Sequence, residues 1–303
     1  MCCLFGLIDY GRRLSGRQRG RLLSALAVQS EVRGTDATGY AYCSGGRLHI
    51  YKQPLPARQV PLFVPSDAWV IMGHARMTTQ GSAWKNRNNH PFRGNAGGTH
   101  FALAHNGVVC NDGQLRKDQK LPKTRIETDS YVAVQLLEKE NALTPDSLKT
   151  MAEQVEGTFV FTVLDEENTL SFIRGDNPLC LYHFPGLGLY LYASTEQILR
   201  SGLARTWLSN RHRETISVER GEILRIDPEG RRQTSRFALA ESYPCWACGP
   251  LTLHHSCRGN ACLEELKSLS YSFGYTPGTG ERLFREGFTT DEIEEIFDGW
   301  DEL

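Results

Sequence analysis

Short apolar runs spaced along most of the chain constrain its fold more than any other sequence feature. They are rich in β-branched, leucine and aromatic residues and lie between polar or glycine-containing stretches, a pattern typical of β-strands. Two longer stretches have helical spacing, RRLSGRQRGRLLSALAVQSEV (12–32) and DSYVAVQLLEKEN (129–141). Many strands with few helices between them argue against a parallel doubly wound sheet. The predicted strands are LFGLID (4–9), TGYAYCS (38–44), LHIYKQ (48–53), AWVIMGHA (68–75), FALAHNG (101–107), TFVFTVLD (158–165), TLSFIRG (169–175), LCLYHF (179–184), LYLYAST (189–195) and GEILRID (221–227).

Composition and charge narrow the range of partners. The chain has 303 residues, of which 40% are hydrophobic, and this is enough for a sizeable core. Its formal net charge of -1 gives no electrostatic reason to expect nucleic acid or an anionic membrane. No apolar run approaches the roughly 20 residues of a membrane helix, and the N-terminal segment lacks the basic stretch of a signal peptide. Nine cysteines, an odd number, favour reduced thiols. We therefore expect a cytoplasmic globular protein with a small uncharged or zwitterionic ligand.

The N-terminus carries adjacent cysteines, Cys2 and Cys3, in CCLFGLI. This stretch is also typical of a first buried strand in which neither thiol has a chemical role. If Met1 is removed, however, Cys2 carries both a thiol and an α-amine whose usual pKa is about 7.7 to 8.0. Such an amine can take the proton of its own thiol, directly or through a water. Cys2 is therefore a candidate nucleophile that supplies its own base.

Six motifs follow one another in an order that resembles a known family. They are CCLFGLI (2–8), RGTDATGYA (33–41), GHARMTTQG (73–81), NNHPF (88–92), AHNGVVCN (104–111) and ETDSYV (127–132). Together with EGTFVFTVLD, RGDNPLCLYH, LYASTEQIL and VERGEILRID, they resemble the glutaminase domain of the class II, N-terminal-nucleophile (Ntn) glutamine amidotransferases. The resemblance covers residues 2–236. It implies an α+β fold, the four-layer αββα Ntn-hydrolase sandwich, in which two antiparallel sheets lie between helical layers.

The resemblance implies a catalytic role for three residues. Cys2 would attack the side-chain amide of glutamine and form a thioester. Asn106 and Gly107, in HNG, would donate a side-chain N–H and a backbone N–H to the oxyanion of the tetrahedral intermediate. Asn-Gly is also a common hairpin turn, and a turn could itself aim the backbone N–H. Cys3 stands where the family usually has glycine, and its extra bulk would lie beside the nucleophile.

Substrate binding is implied for three further residues. Arg76 would bind the α-carboxylate of glutamine through its planar guanidinium, and Asp129 would accept the α-ammonium. Thr79 would line the same wall together with Gln80. Many members of the family carry histidine in the place of Gln80, and the neutral amide found here is given no catalytic role. Taken alone, Arg76 is more typical of a structural ion pair at a strand end, and Asp129 of the first turn of a helix.

Four other residues in these motifs are expected to be structural. Arg33 and Asp36, in RGTDATGYA, are interpreted as scaffolding for the strand and loop of the nucleophile. His74 and His90 receive no catalytic role.

Residues 237–303 form a C-terminal extension with two notable features. Four cysteines in it could hold a structural zinc ion, and the alternative is reduced, unligated thiols. Glutamine hydrolysis itself is expected to need no cofactor. The candidate zinc ligands are Cys245, Cys248, Cys257 and Cys262. The last stretch, FTTDEIEEIFDGWDEL (288–303), has the spacing of an acidic amphipathic helix that either packs on its own domain or docks on a partner.

Two classes of function remain open from the sequence. The extension has no room for a synthase domain and lacks a Ser-Gly-Gly-rich pyrophosphate loop. We therefore expect a glutamine amidotransferase subunit that passes ammonia to a separate synthetase or ligase. The alternatives are a hydrolase of larger γ-glutamyl amides and a non-catalytic binding module. Catalysis is favoured because every chemical role of the resembled site is filled.

Overall fold

Two antiparallel sheets form the centre of the protein. The computed structural model describes residues 2–204 and 206–239, together with residues 270, 276–285, 293, 296 and 297. In this part of the chain the first sheet has seven strands in the order β11-β9-β10-β1-β4-β2-β3, and the second has six in the order β13-β12-β8-β7-β6-β5. The first sheet contains β1 Cys3–Ile8, β2 Ala37–Ser44, β3 Arg47–Gln53, β4 Val70–Arg76, β9 Cys180–Phe184, β10 Leu189–Ala193 and β11 Glu214–Ile216. The second contains β5 Phe92–Ala96, β6 Thr99–Val109, β7 Gly157–Asp165, β8 Leu170–Arg174, β12 Glu222–Ile226 and β13 Arg232–Arg236.

Helices cover the outer faces of both sheets. The first helix is held at its start by Ser15, whose Oγ accepts a hydrogen bond from the backbone N–H of Gln18 while the Gln18 side chain accepts from the Ser15 N–H. The described helices are α1 Gly16–Gln29, α2 Asp112–Asp118, α3 Tyr131–Glu140, α4 Pro145–Gln154, α5 Glu196–Ala204 and α6 Pro277–Arg285. Short 3-10 helices span Ser30–Val32, Ala57–Gln59 and Asn86–Asn88.

Alternation along β1 shows how the layers stack. Phe5 and Leu7 pack into a core shared with α1 and α5, whereas Leu4 and Ile8 point the other way, into the core between the sheets. On the far side of the second sheet, α3 and α4 pack against β6 and β7 in a third core. The order is therefore helices, sheet, sheet, helices. The predicted four-layer αββα sandwich is confirmed.

The ten predicted strands all occur, with ends shifted by only one or two residues. Both predicted helices also occur, as α1 and α3. Three strands were missed, β5, β11 and β13. FRGNA of β5 and RQTSR of β13 are largely polar, and β11 has only three residues. Each of these three lies at the edge of a sheet, where a strand needs little apolar surface.

The C-terminal extension is described only in part. Ile293, Ile296 and Phe297 are helical, and the side chains of Ile293 and Phe297 are buried, in agreement with a helix that has one apolar face. Trp300 and the four candidate zinc ligands, Cys245, Cys248, Cys257 and Cys262, lie outside the described residues. Among the helices in the described segments, none combines the length and the apolar character needed to cross a membrane.

Candidate active site

Cys2 lies at the end of the first sheet beside Arg76. In the antiparallel pair of β1 and β4, Cys3 is opposite Ala75, so the register places Cys2 opposite Arg76. The Cys2 side chain is buried, and its Sγ lies 3.4 Å from the carbonyl oxygen of Met77. Burial raises the pKa of this thiol. A nucleophile at this position consequently needs a base to take its proton.

The stretch RGTDATGYA supports the position of Cys2, as predicted. The Arg33 side chain is buried, and its Nε donates to the carbonyl oxygen of Cys2 at 3.0 Å. Asp36 Oδ2 accepts from the backbone N–H of Thr78 at 2.7 Å. These bonds tie the backbone of Cys2 and the loop after β4 to the start of β2.

Arg76 is the last residue of β4, and only 2% of its surface is exposed. Its NH1 donates to Asn89 Oδ1 at 2.6 Å, and its NH2 donates to the carbonyl oxygens of Gln80 at 2.7 Å and Gly81 at 3.1 Å. Burial lowers the pKa of this guanidinium. All three acceptors are uncharged, so these contacts are not the structural ion pair that the sequence left open. They fix the guanidinium in one orientation.

Asp129 lies two residues before α3 and is also buried, with 4% exposure. Its Oδ2 accepts from the backbone N–H of Val109 at 2.7 Å, and Ser130 Oγ lies 3.4 Å from its Oδ1. Burial raises the pKa of this carboxyl group. Asp129 therefore stands at the start of a helix, as the sequence allowed, and its side chain also joins that helix to β6.

Asn106 and Gly107 are inside β6, opposite Val160 and Phe159 of β7. The predicted strand FALAHNG therefore continues through HNG, and the turn that Asn-Gly also allowed does not form, because pairing with β7 overrides its local preference. Gly107 nevertheless has a φ of 137°, and a Cβ added to it would lie 2.0 Å from the carbonyl oxygen of Thr158. Only glycine fits this backbone.

The Asn106–Gly107 peptide group has a defined direction. The Asn106 carbonyl oxygen accepts from Asn177 Nδ2 at 3.0 Å. Because the C=O and N–H of a trans peptide point in opposite directions, the Gly107 N–H points away from Asn177. The Asn106 side chain is fully buried, and within the described part of the chain neither its Nδ2 nor its Oδ1 has a hydrogen-bond partner.

Histidines join the two sheets next to these residues. His74 Nε2, on β4, lies 2.9 Å from the carbonyl oxygen of His105, on β6, and His105 Nδ1 lies 2.8 Å from Ser130 Oγ. The ring of His90 packs on that of His74, with centroids 4.2 Å apart. Burial lowers the pKa of His74 and of His105 to about 3, and that of His90 well below its usual value. The structure agrees with a structural role for His74 and His90, because neutral buried rings hold the sheets together.

The loop after β4 carries the remaining predicted residues. Thr79 is exposed, one residue before Gln80, whose carbonyl oxygen binds Arg76. This loop is linked to the segment before Asp129, since Asn88 Nδ2 donates to Glu127 Oε2 and Asn88 Oδ1 accepts from the Glu127 N–H, both at 3.0 Å. The sequence reasoning missed Asn89, although it quoted the motif NNHPF that contains it. No spacing rule could have shown its bond to Arg76.

Three of the predicted residues lie close enough for their charges to interact. The charges of Arg76 and Asp129 both act on the Cys2 thiol, and both also act on each other. Asn106 and Gly107 lie on the same strand as Val109, which binds Asp129. The site thus brings together a thiol, a guanidinium and a carboxylate at one end of the first sheet, and the carboxylate binds the strand that carries the buried amide of Asn106. Among the described residues, no cluster of histidine, cysteine or carboxylate side chains is arranged to hold a metal ion.

Comparisons with known proteins identify the class of this domain. Residues 74–201 match the model of the glutamine amidotransferase domain family. The chain is 30% identical over 210 residues to a glutamine–fructose-6-phosphate aminotransferase of Symbiobacterium thermophilum, covering 66% of this chain and 32% of that protein. It is 27% identical over 237 residues to an amidophosphoribosyltransferase of Methanocaldococcus jannaschii, covering 74% and 48%. The chain therefore spans about a third to about a half of the length of these relatives.

Solved structures agree on the fold. Glutamine phosphoribosylpyrophosphate amidotransferase from B. subtilis matches with a TM-score of 0.63 and 20% sequence identity, over 79% of this chain and 50% of that one. The chain therefore contains a glutamine amidotransferase domain, and its two antiparallel sheets have the Ntn-hydrolase fold of the class II enzymes.

Proposed function

We propose that this protein hydrolyses the side-chain amide of glutamine through a thioester on Cys2 and delivers the ammonia to a separate acceptor enzyme. The proposal takes the mature chain to begin at Cys2, after removal of Met1. The α-amine then lies on the same residue as the thiol, and it serves as the base that a buried thiol of raised pKa requires.

The observation that carries this proposal is the buried, unpartnered side-chain amide of Asn106. Within the described residues its Nδ2 has no acceptor, which costs about 1–3 kcal/mol of stability. An oxyanion formed on the substrate would satisfy this donor only during the reaction, together with the N–H of Gly107. Donors arranged in this way contribute about 2.7–4 kcal/mol each to transition-state stabilisation in comparable enzymes.

Arg76 and Asp129 support glutamine as the substrate. A guanidinium has five N–H donors, and the described contacts of Arg76 use three of them. The remaining donors suit the α-carboxylate of an amino acid, while the Asp129 carboxylate suits its α-ammonium. Thr79 would complete the wall of this site from the loop that also carries Gln80. Opposite charges on adjacent walls select a zwitterion.

The reaction balances with these groups alone. Cys2 Sγ attacks the amide carbon as its proton passes to the α-amine, and the carbonyl oxygen becomes an oxyanion bound by Asn106 and Gly107. Collapse breaks the carbon–nitrogen bond, the α-ammonium returns the proton to the leaving nitrogen, and ammonia departs. Water then attacks the thioester, losing a proton to the α-amine. The products are glutamate and the free thiol, and no metal or cofactor takes part.

The cellular location, the ammonia acceptor and a structural zinc ion are part of the same proposal. We place the reaction in the cytoplasm, because the five cysteines that the structure describes are all free thiols. The pairing of a glutaminase with an ammonia acceptor is supported by the names of two similar proteins, which join glutamine with fructose 6-phosphate in one case and with phosphoribosylpyrophosphate in the other. A structural zinc ion on Cys245, Cys248, Cys257 and Cys262 is tested by metal analysis of protein purified without chelator.

The neighbouring cysteine supplies a matched control for the test. Cys3 Sγ lies 3.2 Å from Ser30 Oγ in the core under α1, away from the proposed chemistry. We expect Cys2→Ala to abolish ammonia release from glutamine and Cys3→Ala to retain it. Retained activity in Cys2→Ala would remove the N-terminal nucleophile. Hydrolysis of γ-glutamyl-p-nitroanilide without hydrolysis of glutamine would instead support a hydrolase of larger γ-glutamyl compounds.

A further inference from the structure

A lysine outside the six motifs contacts the turn that holds Arg76. Lys52 lies on β3, and its Nζ donates to the carbonyl oxygens of Asn89 at 2.6 Å and Pro91 at 3.1 Å. The turn is bound to the same residue a second time, because Asn86 Nδ2 donates to the Lys52 carbonyl oxygen at 2.7 Å. Both ends of Lys52 therefore anchor residues 86–91 to the first sheet.

Asn89 passes this anchoring on to Arg76. Its side chain is fully buried, with Oδ1 accepting from Arg76 NH1 at 2.6 Å. Its Nδ2 donates to the carbonyl oxygen of Ala83 at 2.8 Å and lies 3.1 Å from Asn86 Oδ1. The backbone of Asn89 is held by Lys52 while its side chain holds the guanidinium. A shift of the Asn89 backbone would consequently move the acceptor that orients Arg76.

The charge of Lys52 is unfavourable where it lies. Burial, together with the nearby charge of Arg76, lowers the pKa of Lys52 to about 8. Among the described residues, no carboxylate lies within salt-bridge distance of its Nζ, and its other contact is the face of the Phe92 ring at 5.1 Å. An apolar side chain of equal length would fill the same space without this cost. A cation at this position is therefore explained by the two carbonyl oxygens that it binds.

We propose that Lys52 is a positioning residue for recognition of the substrate α-carboxylate, acting through Asn89 to set the orientation of the Arg76 guanidinium. This inference rests on the proposed function, since it assigns Lys52 to the binding of a free amino acid and not to the chemistry at Cys2. Loss of Lys52 should accordingly weaken ligands that carry an α-carboxylate and spare reagents that lack one.

The test compares Lys52→Met with Lys149→Met, which removes an exposed lysine on α4. Steady-state glutamine hydrolysis gives KM and kcat separately. Alkylation of Cys2 is then timed with two reagents, the diazoketone analogue of glutamine, which has an α-amino acid head, and iodoacetamide, which has none. Peptide mapping by mass spectrometry locates each adduct.

For Lys52→Met we expect a KM for glutamine raised about tenfold or more and a kcat within about threefold of the parent value. Its labelling by the diazoketone should slow in parallel, and its labelling by iodoacetamide should not change. Lys149→Met should match the parent protein throughout. If Lys52→Met does not fold, Lys52→Gln carries the same comparison.

Two results would overturn the inference while leaving the proposed function intact. One is an unchanged KM in Lys52→Met, and the other is equal slowing of both reagents, which would indicate general damage to the site. A parent protein inert towards glutamine and the diazoketone would instead remove the proposed function, and the role of Lys52 with it.

Discussion

The end of β4 and the middle of β6 place buried polar groups in opposite situations. Arg76 is almost fully buried and donates three hydrogen bonds to fixed acceptors. Asn106 is fully buried, and its side chain has no partner in the described part of the protein. The first group is orientated before a ligand arrives, as recognition of a carboxylate requires. The second is left unsatisfied, as expected of a donor whose partner is charge that forms during a reaction.

Of the substitutions in these two regions, replacement of Asn106 should have the largest effect on glutamine hydrolysis. Asn106→Leu keeps the branching and the number of heavy atoms of the side chain and removes the amide, so kcat for glutamine should fall by about a hundredfold to a thousandfold. The free energy of unfolding should rise by about 1 kcal/mol, because an unpartnered buried amide is lost. Steady-state kinetics and urea denaturation measure the two effects. A variant that loses stability instead would show that the Asn106 amide is satisfied in the resting protein.

A substitution at Gly107 tests the backbone of β6 next to Asn106. Gly107→Ala places a Cβ 2.0 Å from the Thr158 carbonyl oxygen at a φ of 137°, so unfolding should become easier by about 2 kcal/mol or more. Gly113→Ala is the control, since a Cβ there has open space within α2 and should stabilise by up to about 1 kcal/mol. Equal stability of the two variants would contradict the requirement for glycine at position 107 of β6.

A substitution at Arg76 tests the end of β4, where hydrogen bonds already hold the guanidinium in one orientation. Arg76→Lys keeps the charge and loses the planar fork, so the KM for glutamine should rise about tenfold or more, with a smaller change in kcat. Inhibition constants for glutamate, measured in the same assay, should rise in proportion. An unchanged KM would exclude Arg76 as the carboxylate-binding group.

A pH-dependent effect concerns the histidine beside Asn106. In the unfolded chain His105 has a pKa of about 6.5, and burial lowers it to about 3 in the folded protein. The unfolded state therefore binds more protons as the pH falls below about 6.5, and folding stability declines. His105→Gln should lack this contribution, so its stability relative to the parent should improve by about 2 kcal/mol between pH 7 and pH 5. Urea denaturation at both pH values tests this, and a constant difference would contradict it.

The sequence predicted the region at the end of β4, where Arg76 is hydrogen-bonded, better than the middle of β6, where the Asn106 side chain has no partner among the described residues. Runs such as LFGLID identify strands because apolar residues on both faces must be buried between layers, and the family resemblance then supplied the topology. FALAHNG was predicted as a strand, but the turn that Asn-Gly also allows stayed open, because local preference cannot reveal pairing with β7, about 50 residues later in the chain. Lys52 and Asn89 were missed for a related reason. Their hydrogen bonds join segments that become neighbours only when β3, β2 and β4 pair, so no local pattern marks them.

The most direct test of the central claim is mass spectrometry of the purified protein before and after treatment with the diazoketone analogue of glutamine. The account predicts that Met1 is absent and that a single adduct forms on Cys2, with protection by excess glutamine. An adduct on Cys3 or elsewhere, or an intact Met1 with no adduct at all, would contradict an N-terminal cysteine nucleophile in this protein.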